Sequence, residues 1–225
     1  MKIGIILQAR MASSRLPGKI LKKIGHKTLL EHIFYRLTFL KHPSRVILAT
    51  SVNPKDDVIE AFCKERNIEC FRGSEDNVLE RYYLCSKKYG FKYIVRLTGD
   101  NPFTDIEELD KLILLHLETQ ADYTHSFGVL PVGVGSEVFS FKALERSYQE
   151  AIEKNHKEHV NEYIQEHPEL FKIATLSVTE NKRRPDIRLT VDTEGDYLKA
   201  CRIVENSRDV YITIEEAIEL CLRYA

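Results

Sequence analysis

KIGIILQARMASSRLPGK, residues 2–19, sets a strand's worth of apolar side chains directly before a basic, glycine-punctuated loop. Ile3 to Leu7 carry no polar side chain, the pattern of a strand covered on both faces. Arg10, Ser13, Ser14, Arg15, Pro17, Gly18 and Lys19 follow within a few residues. Small ligands bind outside the carboxyl ends of the strands in an open α/β sheet. The donors of this loop suit a polyanion, most simply a triphosphate, because arginine clamps phosphate oxygens bidentately and lysine supplies a point charge. The loop is neither of the common nucleotide motifs. A Walker loop needs glycine where Ser13 stands and Ser or Thr where Ile20 stands, and no GxGxxG fingerprint is present.

Outward from this stretch, strands alternate with helices. Strands are expected at Ile3–Leu7, Arg45–Ala49, Glu69–Phe71 and Tyr93–Leu97, and helices at Thr28–Leu40, Lys55–Arg66, Asn77–Lys88 and Ile106–Leu117. Such alternation implies an α/β fold with a mostly parallel sheet covered by helices. The second half is less regular. Asp122–Ser126, Glu137–Ser140, Phe171–Leu176 and Arg188–Val191 read as strands. Lys142–Ala151, His156–Gln165, Asp196–Glu205 and Ile214–Tyr224 read as helices. At 225 residues the chain is expected to be one domain, with a small mixed insertion at about 123–188 on the acceptor side.

The bulk composition removes several function classes. With 33 basic against 34 acidic residues, the chain lacks the cationic excess of a generic nucleic-acid binder. No apolar run approaches the roughly 20 residues needed to span a bilayer, and no cationic leader precedes the first strand, so neither a membrane partner nor a signal peptide is expected. The five cysteines are scattered without a CxxC pair and read as reduced thiols in a cytoplasmic protein.

Three further segments carry chemistry. RLTGDNPFTD, Arg96 to Asp105, ends a strand in Asp100 beside the basic loop, where a carboxylate could hold Mg²⁺ on phosphate oxygens. An Asx-type turn at Asp100-Asn101 is the competing reading, and Asp105 reads as a helix cap. RLTVDTEGD, Arg188 to Asp196, delivers Asp192 at the same offset after Arg-Leu-Thr, so two carboxylates could share one hard cation. Alternatively, Asp192 or Thr193 caps the next helix. FRGSEDNVLERY, Phe71 to Tyr82, offers a polar turn of Arg72, Gly73 and Ser74 ahead of a helix, with Ser74 and Asp76 as cap candidates.

Taken with ILATSVNPKDDVI, GSEVFSFKALE and KEHVNEYIQEHPELF, these segments resemble the cytidylyltransferase family of the CMP-KDO and acylneuraminate synthetases. The stretch from His159 to Glu169 is most similar to the spore-coat polysaccharide (SpsF-like) branch. The resemblance implies a Rossmann-like, three-layer α/β/α nucleotidyltransferase domain. It implies binding of CTP and Mg²⁺, transfer of CMP to a sugar, and release of pyrophosphate in surface-polysaccharide synthesis. By that resemblance Gln8, Ala9, Arg10, Ser13, Ser14, Arg15, Lys19, Arg72, Gly73, Ser74, Asp76 and Thr98 would bind the nucleotide. Lys19, Arg10, Arg15 and Asp100 would be catalytic, Asp100 and Asp192 would hold Mg²⁺, and Glu137 and His159 would face the acceptor sugar. A homodimer is also compatible with the family. Ser51-Val52-Asn53-Pro54 replaces the Thr-Asp-Asp of the KDO branch, so the acceptor is not set by the resemblance. Two alternatives stay open: a same-fold enzyme using another nucleotide or a sugar 1-phosphate, and a non-catalytic nucleotide-binding scaffold subunit of a polysaccharide pathway.

Overall fold

The computed structural model describes residues 2–224. β1 (Ile3–Gln8) leads through the basic loop and a 3₁₀ turn at Lys19–Leu21 into a short hairpin, β2 (Lys23–Ile24) and β3 (Lys27–Thr28). Then come α1 (Leu29–Leu37), β4 (Arg45–Ser51), α2 (Asp57–Glu65), β5 (Glu69–Gly73), α3 (Val78–Tyr89), β6 (Tyr93–Thr98) and α4 (Ile106–Thr119). The second half holds β7 (Tyr123–His125), β8 (Glu137–Ser140), α5 (Phe141–Glu150), α6 (Lys154–Glu158), α7 (Glu162–Glu166) and β9 (Ile173–Thr175), and ends with α8 (Glu194–Glu205) and α9 (Ile214–Arg223).

The main sheet has the order β5-β4-β1-β6-β8-β7-β9. β5, β4, β1 and β6 are mutually parallel, and β8 alone runs against its neighbours. Alternate residues of β1 feed opposite layers. Ile3, Ile5 and Leu7 pack with α1, α2 and α4 on one face, while Ile6 packs with α3, α5 and α7 on the other. This is the expected three-layer, Rossmann-like α/β arrangement. A third apolar cluster joins α8 and α9 to Leu16, Phe103, Leu130 and Leu189, so the carboxyl-terminal helices brace the loops at the sheet's carboxyl edge.

The chain runs outward from β1 to β4 and β5, then returns to place β6 on the other side of β1. Strand order therefore reverses between β1 and β6, which opens a crevice at their carboxyl ends. The loop after β1 and the turn after β6 both enter it.

Two expected elements differ. Arg188–Val191 forms no strand of the sheet; it is an extended segment with a single parallel bridge, Val132 to Arg188. Its amides are spent on loop carbonyls, Leu189 N–H on Val132 O at 2.8 Å and Val191 N–H on Asp100 O at 2.9 Å. The single helix expected over His156–Gln165 is two short ones, α6 and α7, broken around His159. The break leaves His159 extended at the end of α6, where it can turn toward the crevice. All five cysteines are free. Among the described residues, no helix is long and apolar enough to cross a membrane.

One buried contact between layers gives the fold a pH dependence. His116 of α4 is fully buried, with Nδ1 2.8 Å from Thr124 Oγ1 of β7. Burial lowers its imidazole to about 4. His32 and His125 are lowered by burial as well. The unfolded chain takes up protons below about pH 6.5 that the native state refuses. The stabilisation is full above that pH and is lost as pH falls toward the native value. From pH 7 to pH 5 the His116 contribution to unfolding free energy should fall by about 2 kcal/mol. Urea denaturation across that range checks it. His116→Asn, which preserves a partner for Thr124, should flatten the slope, and an unchanged slope would refute the assignment.

Candidate active site

The loop after β1 is held chiefly through its backbone amides. Ala9 N–H donates to Ala49 O at 3.1 Å, continuing the parallel ladder one residue past the strand. Met11 N–H then donates to Asp56 Oδ1 at 2.7 Å, and Ser51 Oγ donates to Asp56 Oδ2 at 2.5 Å. Asp56 thus ties the loop to the end of β4. The loop closes on itself through Ser13 N–H and Gly18 N–H, which both donate to Met11 O at 2.9 and 3.1 Å. Gly18 has φ of 68°, a left-handed turn that glycine adopts without strain, and it starts the 3₁₀ turn that carries Lys19 inward. Arg10, Ser14 and Arg15 remain exposed, whereas Lys19 is buried.

Lys19 Nζ donates to Asp100 Oδ2 at 3.0 Å and to Asp192 Oδ1 at 2.7 Å. Two carboxylates far apart in sequence therefore face one point. Three features make this convergence. Val191 N–H bonds the Asp100 carbonyl, which lays the two segments side by side. Thr193, with Asp196, makes the capping box of α8, so Asp192 is not spent as a cap. Gly133 lies against Thr190, where a Cβ would come within 2.5 Å of its backbone nitrogen, so this approach tolerates only glycine. The second oxygen of Asp192 receives Arg15 Nη2 at 3.3 Å and a close bond from Arg188. Burial by itself would raise the Asp192 carboxyl; Lys19, then Arg188 and Arg15, hold it below the usual carboxylate range.

Two hollows meet at this pair. The larger, about 460 Å³, is lined by the loop residues Gln8, Ala9, Arg10, Ser13, Ser14, Arg15 and Lys19, with Thr98, Asp100 and Asp192. The smaller, about 260 Å³, lies toward β8 and includes Glu137, Arg188, Phe127 and Val132. Arg96, Thr98, Asp100 and Asp192 belong to both walls. Arg96 pairs across the β6–β8 ladder with Glu137, which also accepts from Tyr123 Oη. Burial works against the Arg96 charge, but Glu137 more than offsets it, so the guanidinium titrates above its ordinary value.

Most residues expected in the site from sequence are brought together here. Glu137 lies in the smaller hollow, although its carboxylate is committed to Arg96 and Tyr123. His159 lines the larger hollow, on the side of the basic loop and not in the smaller one. Arg72, Gly73, Ser74 and Asp76 line neither hollow. Arg72 is drawn off by Asp57 at 2.7 Å, Glu60 at 2.9 Å and the carbonyl of Ser51 at 2.9 Å. Ser74 Oγ accepts from Asn77 N–H at 3.1 Å, and Asn77, rather than Ser74 or Asp76, caps α3. Asp105 caps α4 as expected.

Asp56, Arg96 and Arg188 are site residues that sequence reasoning passed over. Arg96 and Arg188 had a signal: each stands four residues before its aspartate in the paired RLTGD and RLTVD segments.

A family model described as cytidylyltransferase matches residues 4–221. This chain belongs to the cytidylyltransferase family. It is 40% identical over 200 residues to the spore coat polysaccharide biosynthesis protein SpsF of Bacillus subtilis, covering 87% of this chain and 83% of SpsF. A cytidylyltransferase from Leptospira borgpetersenii superposes with a TM-score of 0.92 at 32% identity, covering 100% of this chain and 95% of that one. The synthetase for CMP-2-keto-3-deoxy-manno-octonic acid, solved with CTP, shares the fold at a TM-score of 0.69 and 17% identity, covering 91% and 99% of the two chains. For this cytidylyltransferase family member the basic loop, the Asp100–Asp192 pair and the crevice are one site.

Asp56 provides the test of how that site is held. It is buried and accepts from Met11 and Ser51, so Asp56→Ala leaves these donors unsatisfied. Its loss should cost about 2–3 kcal/mol of unfolding free energy in urea. CTP affinity in calorimetry should fall with it, because the loop loses its anchor. Full CTP affinity in the variant would show that the loop is positioned without Asp56.

Proposed function

We propose that the protein transfers CMP from CTP to a sugar, releasing pyrophosphate, and that the sugar is an acidic, nonulosonic-type acceptor used for surface polysaccharide. The observation that carries this is the meeting of two hollows at one carboxylate pair. A nucleotide in the larger hollow and a sugar in the smaller would present their reacting atoms to each other beside Asp100 and Asp192. Arg10, Arg15 and Lys19 match a triphosphate, and the smaller hollow, where Arg96 is paired with Glu137 and Arg188 with Asp192, offers polar groups to a sugar.

The donor set fits a magnesium ion. Asp100 and Asp192 offer hard oxygens toward a common point, and the described residues hold no group of three or more candidate ligands that would form a complete cage. Magnesium is commonly held in that way, by one or two carboxylates with substrate phosphates and water supplying the rest. When bound it would neutralise and polarise the α-phosphate.

In the proposed reaction an acceptor hydroxyl oxygen attacks the α-phosphorus in line, and the bond from that phosphorus to the β-phosphate oxygen breaks. The hydroxyl proton leaves to water, and pyrophosphate carries away the bonding pair. Arg10 and Arg15, exposed on a loop with a fixed backbone, would bind the β- and γ-phosphates and stabilise the charge that develops there. Arg188 would orient Asp192 through their direct pair. Reduced thiols and CTP supply both fit a cytoplasmic setting.

Incubation with CTP, Mg²⁺ and a panel of sugar acids, followed by pyrophosphate release, tests the proposal directly. Release that needs both CTP and an acidic sugar is the expected result. Release with UTP, ATP or GTP instead would change the donor. Nucleotide binding without release from any sugar or sugar 1-phosphate would favour a scaffold role. Asp100→Asn should lower kcat by about two to three orders of magnitude, about 3–4 kcal/mol of barrier. An unaltered kcat would remove Asp100 from the chemistry.

A further inference from the structure

The carboxylate pair already holds a cation, and it belongs to the chain. Lys19 Nζ lies between Asp100 Oδ2 and Asp192 Oδ1, and its side chain is only 10% exposed. The two partners are not equally dependent on it. Asp192 keeps Arg15 and Arg188 on its other oxygen. Among the described residues, Asp100 has no salt-bridge partner other than Lys19. We propose that Lys19 is a resident substitute for the divalent cation in the nucleotide-free protein, so that metal and nucleotide are taken up together and metal is not bound first. This rests on the reading of Asp100 and Asp192 as the metal-holding pair.

The electrostatics run in one direction. A dication that enters the crevice ahead of a nucleotide must displace a shielded ammonium from both carboxylates and then stand beside it, like charge against like. A triphosphate in the larger hollow changes that balance, because the displaced ammonium meets phosphate oxygens within the same lining. Lysine suits this exchange better than arginine would: its charge is a compact point on a flexible stem, not a planar fork fixed on one partner. Asp192 stays oriented by Arg188 throughout, so the pair does not collapse when Lys19 leaves it.

The probe is Mn²⁺ alone, titrated into the intact protein without nucleotide and followed by the EPR signal of the free hexaaqua ion. Lys19→Met and Lys19→Gln should each bind Mn²⁺ at least tenfold more tightly than the wild type, and Asp100→Asn in the Lys19→Met background should abolish the gain. Lys19→Gln keeps a hydrogen-bond donor without the charge, and circular dichroism establishes that each variant is folded. Equal Mn²⁺ affinity in the wild type and the folded Lys19 variants would overturn the proposal. So would a gain that survives Asp100→Asn, or tight Mn²⁺ binding by the nucleotide-free wild type, a measurement that needs no variant. The outcome separates from that of the functional reading. A protein that releases pyrophosphate from CTP but shows no Lys19 effect loses this inference alone. A protein that shows the effect but does not bind CTP loses the functional reading alone.

Discussion

Strand β1 has no solvent face, and the rest of the molecule is arranged around that constraint. It pairs with β4 on one side and β6 on the other, and helices cover both of its faces. A chain leaving such a strand emerges at the carboxyl edge of the sheet, with neighbours on either side and no freedom to turn back. The basic loop is therefore delivered to the crevice by burial of the strand before it. The same burial explains Gly4, where a Cβ would sit 2.1 Å from the Phe91 ring. Phe91 closes the far end of the layer that Ile6 shares with α3, so the strand is sealed at one end and open at the other.

The crevice is a balance of charges that the fold forces close. Lys19, Arg15 and Arg188 surround Asp192, and Arg96 faces Glu137. The shielded groups, Lys19, Arg96, Asp192 and Glu137, are each costly to bury alone and are tolerable because each is paired with an opposite charge. The partners are fixed by backbone contacts and not by the charges. Val191 donates to the carbonyl of Asp100, Met11 to Asp56, and Arg96 stands in register with Glu137. Geometry set by amides and strands is stiff, so an ammonium can leave one pair of carboxylates without the site losing its shape.

Much of the architecture could be read along the chain. The first four parallel strands, the helices between them and the capping of α4 by Asp105 follow from apolar runs, 3.6-residue spacing and cap residues. These are local patterns, and each element carries its own. Arg188–Val191 has the composition of a strand but lies beside loop carbonyls, its amides donating to Val132 and Asp100. The segment around His159 has helical composition on both sides of a break at which His159 is extended. The polar turn at Arg72 to Asp76 looked like part of the site, yet Arg72 is claimed by acids of α2 whose proximity depends on how α2 lies against β5.

The sequence by itself determined the α/β alternation, the buried first strand and the cationic, glycine-punctuated residue types of the loop after it. It also carried the paired Arg-Leu-Thr segments that each end in an aspartate. These are properties of neighbours in the chain, where periodicity and side-chain chemistry act directly. Tertiary structure alone decided that Asp100 and Asp192 share one lysine, that Asp56 anchors the loop, and that Arg72 is turned away. Those outcomes depend on contacts between residues distant in sequence, whose closeness is set by strand order and by which backbone amides find which carbonyls.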